Sequence, residues 1–408
     1  MKASILFRYL TGSRGAIVEV ASTRSSLSCG ILFALSAGLA REYDGEDLLH
    51  APWIVLRPLA ASLLSGTVLF LLVHLASTIG KGKRERPGIL TAYRALMSLF
   101  WMTAPMAWLY AIPYERFLSE VDAIVANLWT LALVSLWRVL LMTRAIGLLY
   151  GIEFAASLVL VLLFSDAVII TLLTLVEAPV IGLMGGIRHS DADALIAHLP
   201  FSATFFSVIS APVLLIAGIV AFLFMKPAPL KLATIQGKPS RGLLLLAAGS
   251  ILAFTPPLLI GQPEQANRRV AEDLLRSGNV AGAFALMSER TPDDYPPHWE
   301  APPRLGYREK QPDLAAVRDA MRARWPAEWV ARLYLDKVHR RLREKLLLDW
   351  RDSRWIEFTE KLEKSGRPAK PDGDIAEEAS FLLDFDTTLP DGDRQVLRLI
   401  VALGQNGG

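Results

Sequence analysis

One cysteine, Cys29, stands in 408 residues. An intrachain disulfide is therefore excluded, and so is a cysteine-rich metal site. Net charge is also scarce. Lys and Arg number 43, Asp and Glu 40, and the formal balance is +3. That excludes the strongly basic footprint of a nucleic-acid binder. The chain carries no phosphate-cradling glycine loop, no nucleophile–base set and no metal box. No catalytic, cofactor-binding or metal-binding residue is assigned, no cofactor is expected, and the reading is non-enzymatic. What the chain has in abundance is apolar surface. Hydrophobic residues make up 52%, charged residues only 20%, and mean hydropathy is +0.36. An ordinary soluble enzyme, a disordered chain and a collagen-like fibre do not have that composition.

The apolar residues are not spread evenly. Before Gly261 long apolar runs alternate with short charged loops, and after it the chain is charged and proline-punctuated. A hydrocarbon core of about 30 Å needs about 20 apolar residues of helix. Six runs meet this length: 56–79, 89–112, 121–142, 154–176, 201–225 and 243–261. A seventh, 22–40, is weaker, because its clean apolar part is short and Arg24 has to snorkel. A short span, a re-entrant piece and a signal peptide all remain open there. The signal peptide fits worst, since the run starts far from Met1 and Gly38-Leu39-Ala40 makes a poor cleavage site.

Charge sorting favours a spanning first segment. With seven spans, fifteen Lys and Arg fall in one set of alternating loops, among them Lys2, Arg8, Arg14, Lys81, Arg86, Arg144 and Lys231. Four fall in the other set: Arg41, Arg57, Arg116 and Arg188. Basic loops stay cytoplasmic. The expected architecture is all-α, a polytopic membrane bundle of about seven spans. Residues 1–21 form a cytoplasmic N-terminal segment, 22–261 the bundle and 262–408 an extracytoplasmic, mainly helical domain. The expected location is a cell inner membrane, with the lipid bilayer as one partner and a protein partner for the 262–408 domain.

Within the bundle one acid stands out. Asp166 lies thirteenth in the run 154–176, about 18 Å along the helix. A bare carboxylate there costs several kcal/mol, so it is neutral, paired or facing water. It is the one candidate transport or coupling residue. The competing reading is a protonated Asp bonded to a Ser or Thr of a neighbouring helix, such as Ser65, Thr103 or Ser207. Pro105, Pro212 and Pro256-Pro257 interrupt three spans, which suits a broken-helix transporter and equally a kinked inert bundle. The outer loop with His189, Asp191, Asp193 and His198 offers an i, i+4 pair, yet without a recognised ligand pattern it reads as a solvated face.

The tail reads as three helical blocks. In the first, Val270 to Leu275, the Gly278-Asn279 turn, Ala283 and Leu286 resemble half of a tetratricopeptide-type hairpin. The likeness covers fewer than thirty residues and implies only a helical hairpin. The second is a proline-rich strap, 292–312, with Tyr295, His298 and Trp299. It either packs over the helices with its aromatics buried or presents a partner motif, and aromatics this dense favour packing. The third is a long helix, 326–364, with Val330, Tyr334, Val338, Leu342, Leu346 and Trp350 on one stripe. Near the end, Leu382-Leu383-Asp384-Phe385-Asp386-Thr387-Thr388-Leu389 resembles the first motif of haloacid-dehalogenase-type phosphatases. The resemblance implies a nucleophilic Asp384, an acid/base Asp386 and magnesium. The family places this motif after a buried strand at the head of a large α/β domain, and here only Pro390 to Gly408 follow. A calcium loop on Asp384, Asp386 and Thr388 fails too, with Leu389 at the glycine position and Gln395 at the twelfth. The segment reads as an acidic loop.

Two functions compete. One is a non-enzymatic membrane protein presenting a helical domain for protein interaction or membrane organisation. The other is a secondary transporter or channel using Asp166.

Overall fold

A computed structural model describes residues 4–40, 48, 50–79, 88–175, 191–224, 241–303, 314–345 and 373–405. The described chain is all-helical and divides into two compact units. One comprises 1–178 and 198–263, the other 179–197 and 264–408.

The first unit begins with two short helices, α1 (Ser4–Leu10) and α2 (Arg14–Ser22). They are not a free tail. Ile5, Leu6, Tyr9, Ala16, Ile17 and Val20 are buried in the same core as the later helices. Then come α3 (Ser25–Leu39), α4 (Leu56–Ile79), α5 (Ile89–Trp101), α6 (Glu120–Tyr150), α7 (Phe154–Leu175), α8 (Asp191–Phe224) and α9 (Arg241–Ala253). The weak apolar run lies at the centre of this unit. α3 packs against α4, α5 and α9, and small residues permit the close approach. A Cβ on Gly30 would lie 2.7 Å from the Cβ of Trp101.

Among the described residues five helices are long and apolar enough to cross a membrane: Pro52–Ser77, Ile89–Arg116, Glu120–Tyr150, Phe154–Thr171 and Ser202–Ala221. The first and last runs of the sequence reading are shorter apolar helices, Ser25–Leu39 and Arg241–Ala253. Thirteen residues rise only about 20 Å, short of the hydrocarbon core. The cause in the run 243–261 is local. The helix ends at Ala253, Phe254 turns back onto the Ile251 carbonyl, and Pro256-Pro257 sit in the first turn of a new helix. Proline has no N–H to continue the first ladder, and its fixed φ suits a helix start. Pro105 acts similarly. α5 stops at Trp101 and a 3-10 segment runs Ala104–Ala111. Pro212 lies within the unbroken span of α8.

The helix after the proline pair is α10 (Thr255–Arg276). Its C-terminus and α11 (Val280–Ser288) form the expected hairpin. Gly278 adopts φ +80°, while Asn279 N–H donates to the Leu274 carbonyl and Gly278 N–H to that of Leu275. That left-handed closure favours glycine. The Asn279 side chain then caps α11 by accepting from Gly282 N–H at 2.9 Å. The rest of the second unit is α12 (Leu314–Ala323), α13 (Glu328–Lys345), α14 (Gly373–Phe385) and α15 (Asp391–Gln405). Its core draws on Leu275, Phe284, Val317, Tyr334, Leu382 and Leu397.

The expected helix 326–364 is described as far as Lys345. Its stripe is buried through Val330, Tyr334, Val338 and Leu342. Leu346 and Trp350 lie outside the described residues, as does His189.

Candidate functional site

Asp166 sits on α7, within the apolar stretch Phe154–Thr171. Its partner is Ser210 of α8, whose hydroxyl donates to Asp166 Oδ2 at 2.6 Å. A serine of a neighbouring helix is the kind of partner expected, although it is not one of the three residues named. Ser65 donates to the Ser62 carbonyl and Thr103 to that of Phe100, each within its own segment, and Ser207 lies one helical turn before Ser210. Ser207 and Ser210 are both on α8, so sequence depth was right, but the rotation of α8 about its axis selects the residue that meets α7.

Beside α7 is a cavity of about 600 Å³. α4 supplies Pro58, Ser62, Ser65 and Val68 to its wall, α6 Leu131, Ser135 and Arg138, and α7 Phe164, Ala167 and Thr171. The segment 101–110 closes its back with Trp101, Ala104 and Tyr110. The cavity is mainly apolar, with a few hydroxyls and one cation. Asp166 does not line it, although Ala167 and Val168 do. Successive helical residues are turned by about 100°, which points Asp166 to α8 instead. The guanidinium of Arg138 lies 4.6 Å over the Phe100 ring, a favourable cation–π distance. Trp101 and Trp108 also belong to this unit. Their indole N–H groups donate inside the unit, to Ser62 and Ser36, each at 2.9 Å. Trp53 is exposed.

The second unit concentrates its polar chemistry around the proline strap. Tyr295 stacks on Trp299 with ring centroids 4.7 Å apart. Trp299 Nε1 donates to Glu272 at 3.0 Å, and Arg268 and Arg276 flank that buried carboxylate. Tyr334 donates its hydroxyl to the Pro302 carbonyl at 3.0 Å. Lys337 is wholly buried, and its ammonium donates to Glu300 at 2.8 Å and to the Pro303 carbonyl at 3.0 Å. Charge-assisted bonds of this length are the strong kind. The described part of the strap, 292–303, is therefore latched onto α10 and α13 rather than displayed. Burial pushes the phenols of Tyr295 and Tyr334 above their ordinary range.

The phosphatase-like segment, Leu382 to Leu389, belongs to the second unit. It lies at the end of a helix, not after a strand. Asp384 is exposed and Asp386 is buried. Asp386 Oδ1 accepts from the Thr388 backbone N–H and hydroxyl, and Oδ2 lies 2.8 Å from His339 Nε2 of α13. Burial opposes ionisation of Asp386, yet these hydrogen bonds together hold its carboxyl below the usual range. Asp336, one turn earlier on α13, goes the other way, raised chiefly by burial. Among the described residues no group of three or more His, Cys, Asp or Glu is placed to hold a metal.

No protein-family model matches the chain, and neither a curated protein nor a solved structure matches it.

Proposed function

We propose that the chain is a multi-pass integral membrane protein of non-enzymatic type, which presents its C-terminal helical domain, 262–408, for protein interaction or membrane organisation. The full topology is seven spans in a cell inner membrane, with the N-terminus cytoplasmic and the domain extracytoplasmic. The observation that carries this reading is the contrast between the surfaces of the two units. The first turns large apolar side chains outward. Leu64 is 69% exposed, Trp129 75% and Leu245 72%. The second closes its apolar residues into a core of its own and carries its charges on flanking faces. One surface asks for lipid and the other for water. A water-soluble helical module tethered to a bundle is built to meet another macromolecule. Its hairpin and long helix supply the faces.

A transporter or channel working through Asp166 is the second reading. Its support is the cavity beside α7. Against it, Asp166 turns from that cavity to Ser210. The two part on one substitution. With the full chain in native membranes, Asp166→Asn leaves cross-linked partners of the 262–408 domain unchanged if the first reading holds. Loss of proton- or cation-coupled flux in proteoliposomes on that substitution, with partners absent in both proteins, would establish the second.

A further inference from the structure

The cavity beside α7 has the chemistry of a lipid site, which rests only on the first unit lying in a bilayer. Its apolar walls open among exposed Leu64, Val68 and Leu131, the surface that faces the surrounding solvent of the bundle. From Pro58 to Val68 it follows α4 for about 15 Å, long enough for much of an acyl chain. Small side chains, Ala61, Ala104 and Ala167, leave the room. Arg138 stands on its wall, and among the described residues no acidic side chain lines it.

The position of Arg138 matters as much as its charge. One residue before it, Trp137 donates its indole N–H to the Leu10 carbonyl at 2.8 Å, so the end of α1 lies at this level of α6. Gly12 lies against the side chain of Arg144, about 9 Å further along the helix. Arg8 and Arg14 flank that same turn of chain. Arg138 is thus the inward edge of a basic end of the unit, where acidic headgroups collect. An apolar slot that leads from a basic edge into the hydrocarbon matches a molecule with an anionic head and a long chain.

We propose that this cavity binds an acidic glycerophospholipid, with its phosphate beside Arg138 and one acyl chain lying along Ala61, Ala104 and Ala167. Charge complementarity selects the head, and the apolar walls select the chain. No covalent step is involved.

The test is native mass spectrometry of the full chain released from detergent, with phosphatidylglycerol and phosphatidylcholine of identical palmitoyl and oleoyl chains in competition. The acidic lipid is retained about fivefold over the zwitterionic one, the effect of one cation near a headgroup. Arg138→Gln brings the ratio close to one, and Arg138→Lys preserves it. Ala167→Phe fills the slot from an exposed helix position and lowers retention of both lipids while leaving Arg138 in place. Dihexanoyl phosphatidylglycerol and inorganic phosphate, which offer a head without a long chain, bind far more weakly. Equal retention of the two long-chain lipids by the wild type overturns the proposal. So does dihexanoyl lipid or phosphate binding as well as the long-chain form. If Arg138→Gln does not yield folded protein, Ala167→Phe decides, and unchanged retention in that variant refutes the site. Cross-linking of partners to the 262–408 domain is a separate readout, so failure here and failure of the proposed function are distinguishable.

Discussion

Lys337 shows how a single residue holds the second unit together. Its stem lies in the core and its ammonium meets Glu300, which keeps about a third of its side-chain surface exposed. The two partners are therefore not equivalent. Glu300→Gln leaves a buried cation facing a neutral amide and costs about 3 kcal/mol. Lys337→Met removes the charge along with its donor bonds and costs about 1 kcal/mol. Hydrogen exchange of α13 in the full chain measures the difference, and an equal cost would mean that the pair is effectively solvated. The two aspartates near His339 give opposite pH signatures. The folded-state pKa of Asp386 is lowered, so its contribution is complete above the unfolded value near about 4 and is lost as pH falls through the folded value. The folded-state pKa of Asp336 is raised, so its ionisation weakens the fold as pH rises from that unfolded value through the folded one. Asp386→Asn should flatten the acid limb of stability and cost about 1–2 kcal/mol at neutral pH. Asp336→Asn should be neutral or stabilising there. Opposite results in a pH series of hydrogen exchange would reverse both assignments. The chemical type of these residues was plain in the sequence. Their pairing was not, because 47 positions separate His339 from Asp386.

At the scale of the element, α3 and its neighbours carry the argument. Its apolar pattern was the weakest of the seven runs, yet it touches more of the first unit than α8 does, whose described apolar side chains are largely exposed. An outer span must be uniformly apolar, whereas a central helix can be short and rich in Ser, Gly and Ala, since protein surrounds it. Gly30 and Gly66 make the point measurable. A Cβ at Gly30 meets the Cβ and main chain of Trp101, which cannot yield without moving α5. A Cβ at Gly66 meets the thioether of Met97, the flexible end of a side chain, at 2.8 Å. Gly30→Ala is expected to destabilise the bundle by about 1–3 kcal/mol. Gly66→Ala should cost less than half as much, as read by thermal unfolding in detergent. Equal costs would show that α5 shifts freely. The proline strap teaches a related lesson. Density of Tyr and Trp announced burial, but the latch of Tyr334, Lys337 and Glu272 depends on helices that the local pattern does not bring together.

For the whole molecule, the physical question is which solvent meets which surface. The alternation of basic and acidic loops predicts that a reporter active only outside the cytoplasm works when fused at Gly408 and fails when fused before α1. The reverse pattern would invert the topology and place the 262–408 domain inside. α1 and α2 add a constraint on such experiments. Tyr9 donates its hydroxyl to the Leu99 carbonyl at 2.6 Å in the core, so deletion of residues 1–21 should lower the yield of folded bundle rather than trim a dispensable tail. Loss of the buried side chains of two helices is the reason.

Composition and periodicity by themselves determined that this is an all-helical chain of two characters, apolar before Gly261 and charged after it. Both signals are local, carried by runs of about 20 residues and by proline and glycine breaks, so they survive without knowledge of neighbours. Tertiary structure alone decided that the N-terminal segment is core, that Asp166 answers to Ser210, that Arg138 edges a cavity and that the acidic motif at Asp384 to Thr388 is a helix terminus with a stapled turn. Each of these depends on how far a helix is rotated about its own axis and which distant helix it meets. That rotation follows from the packing of many side chains at once, which no single stretch of sequence contains.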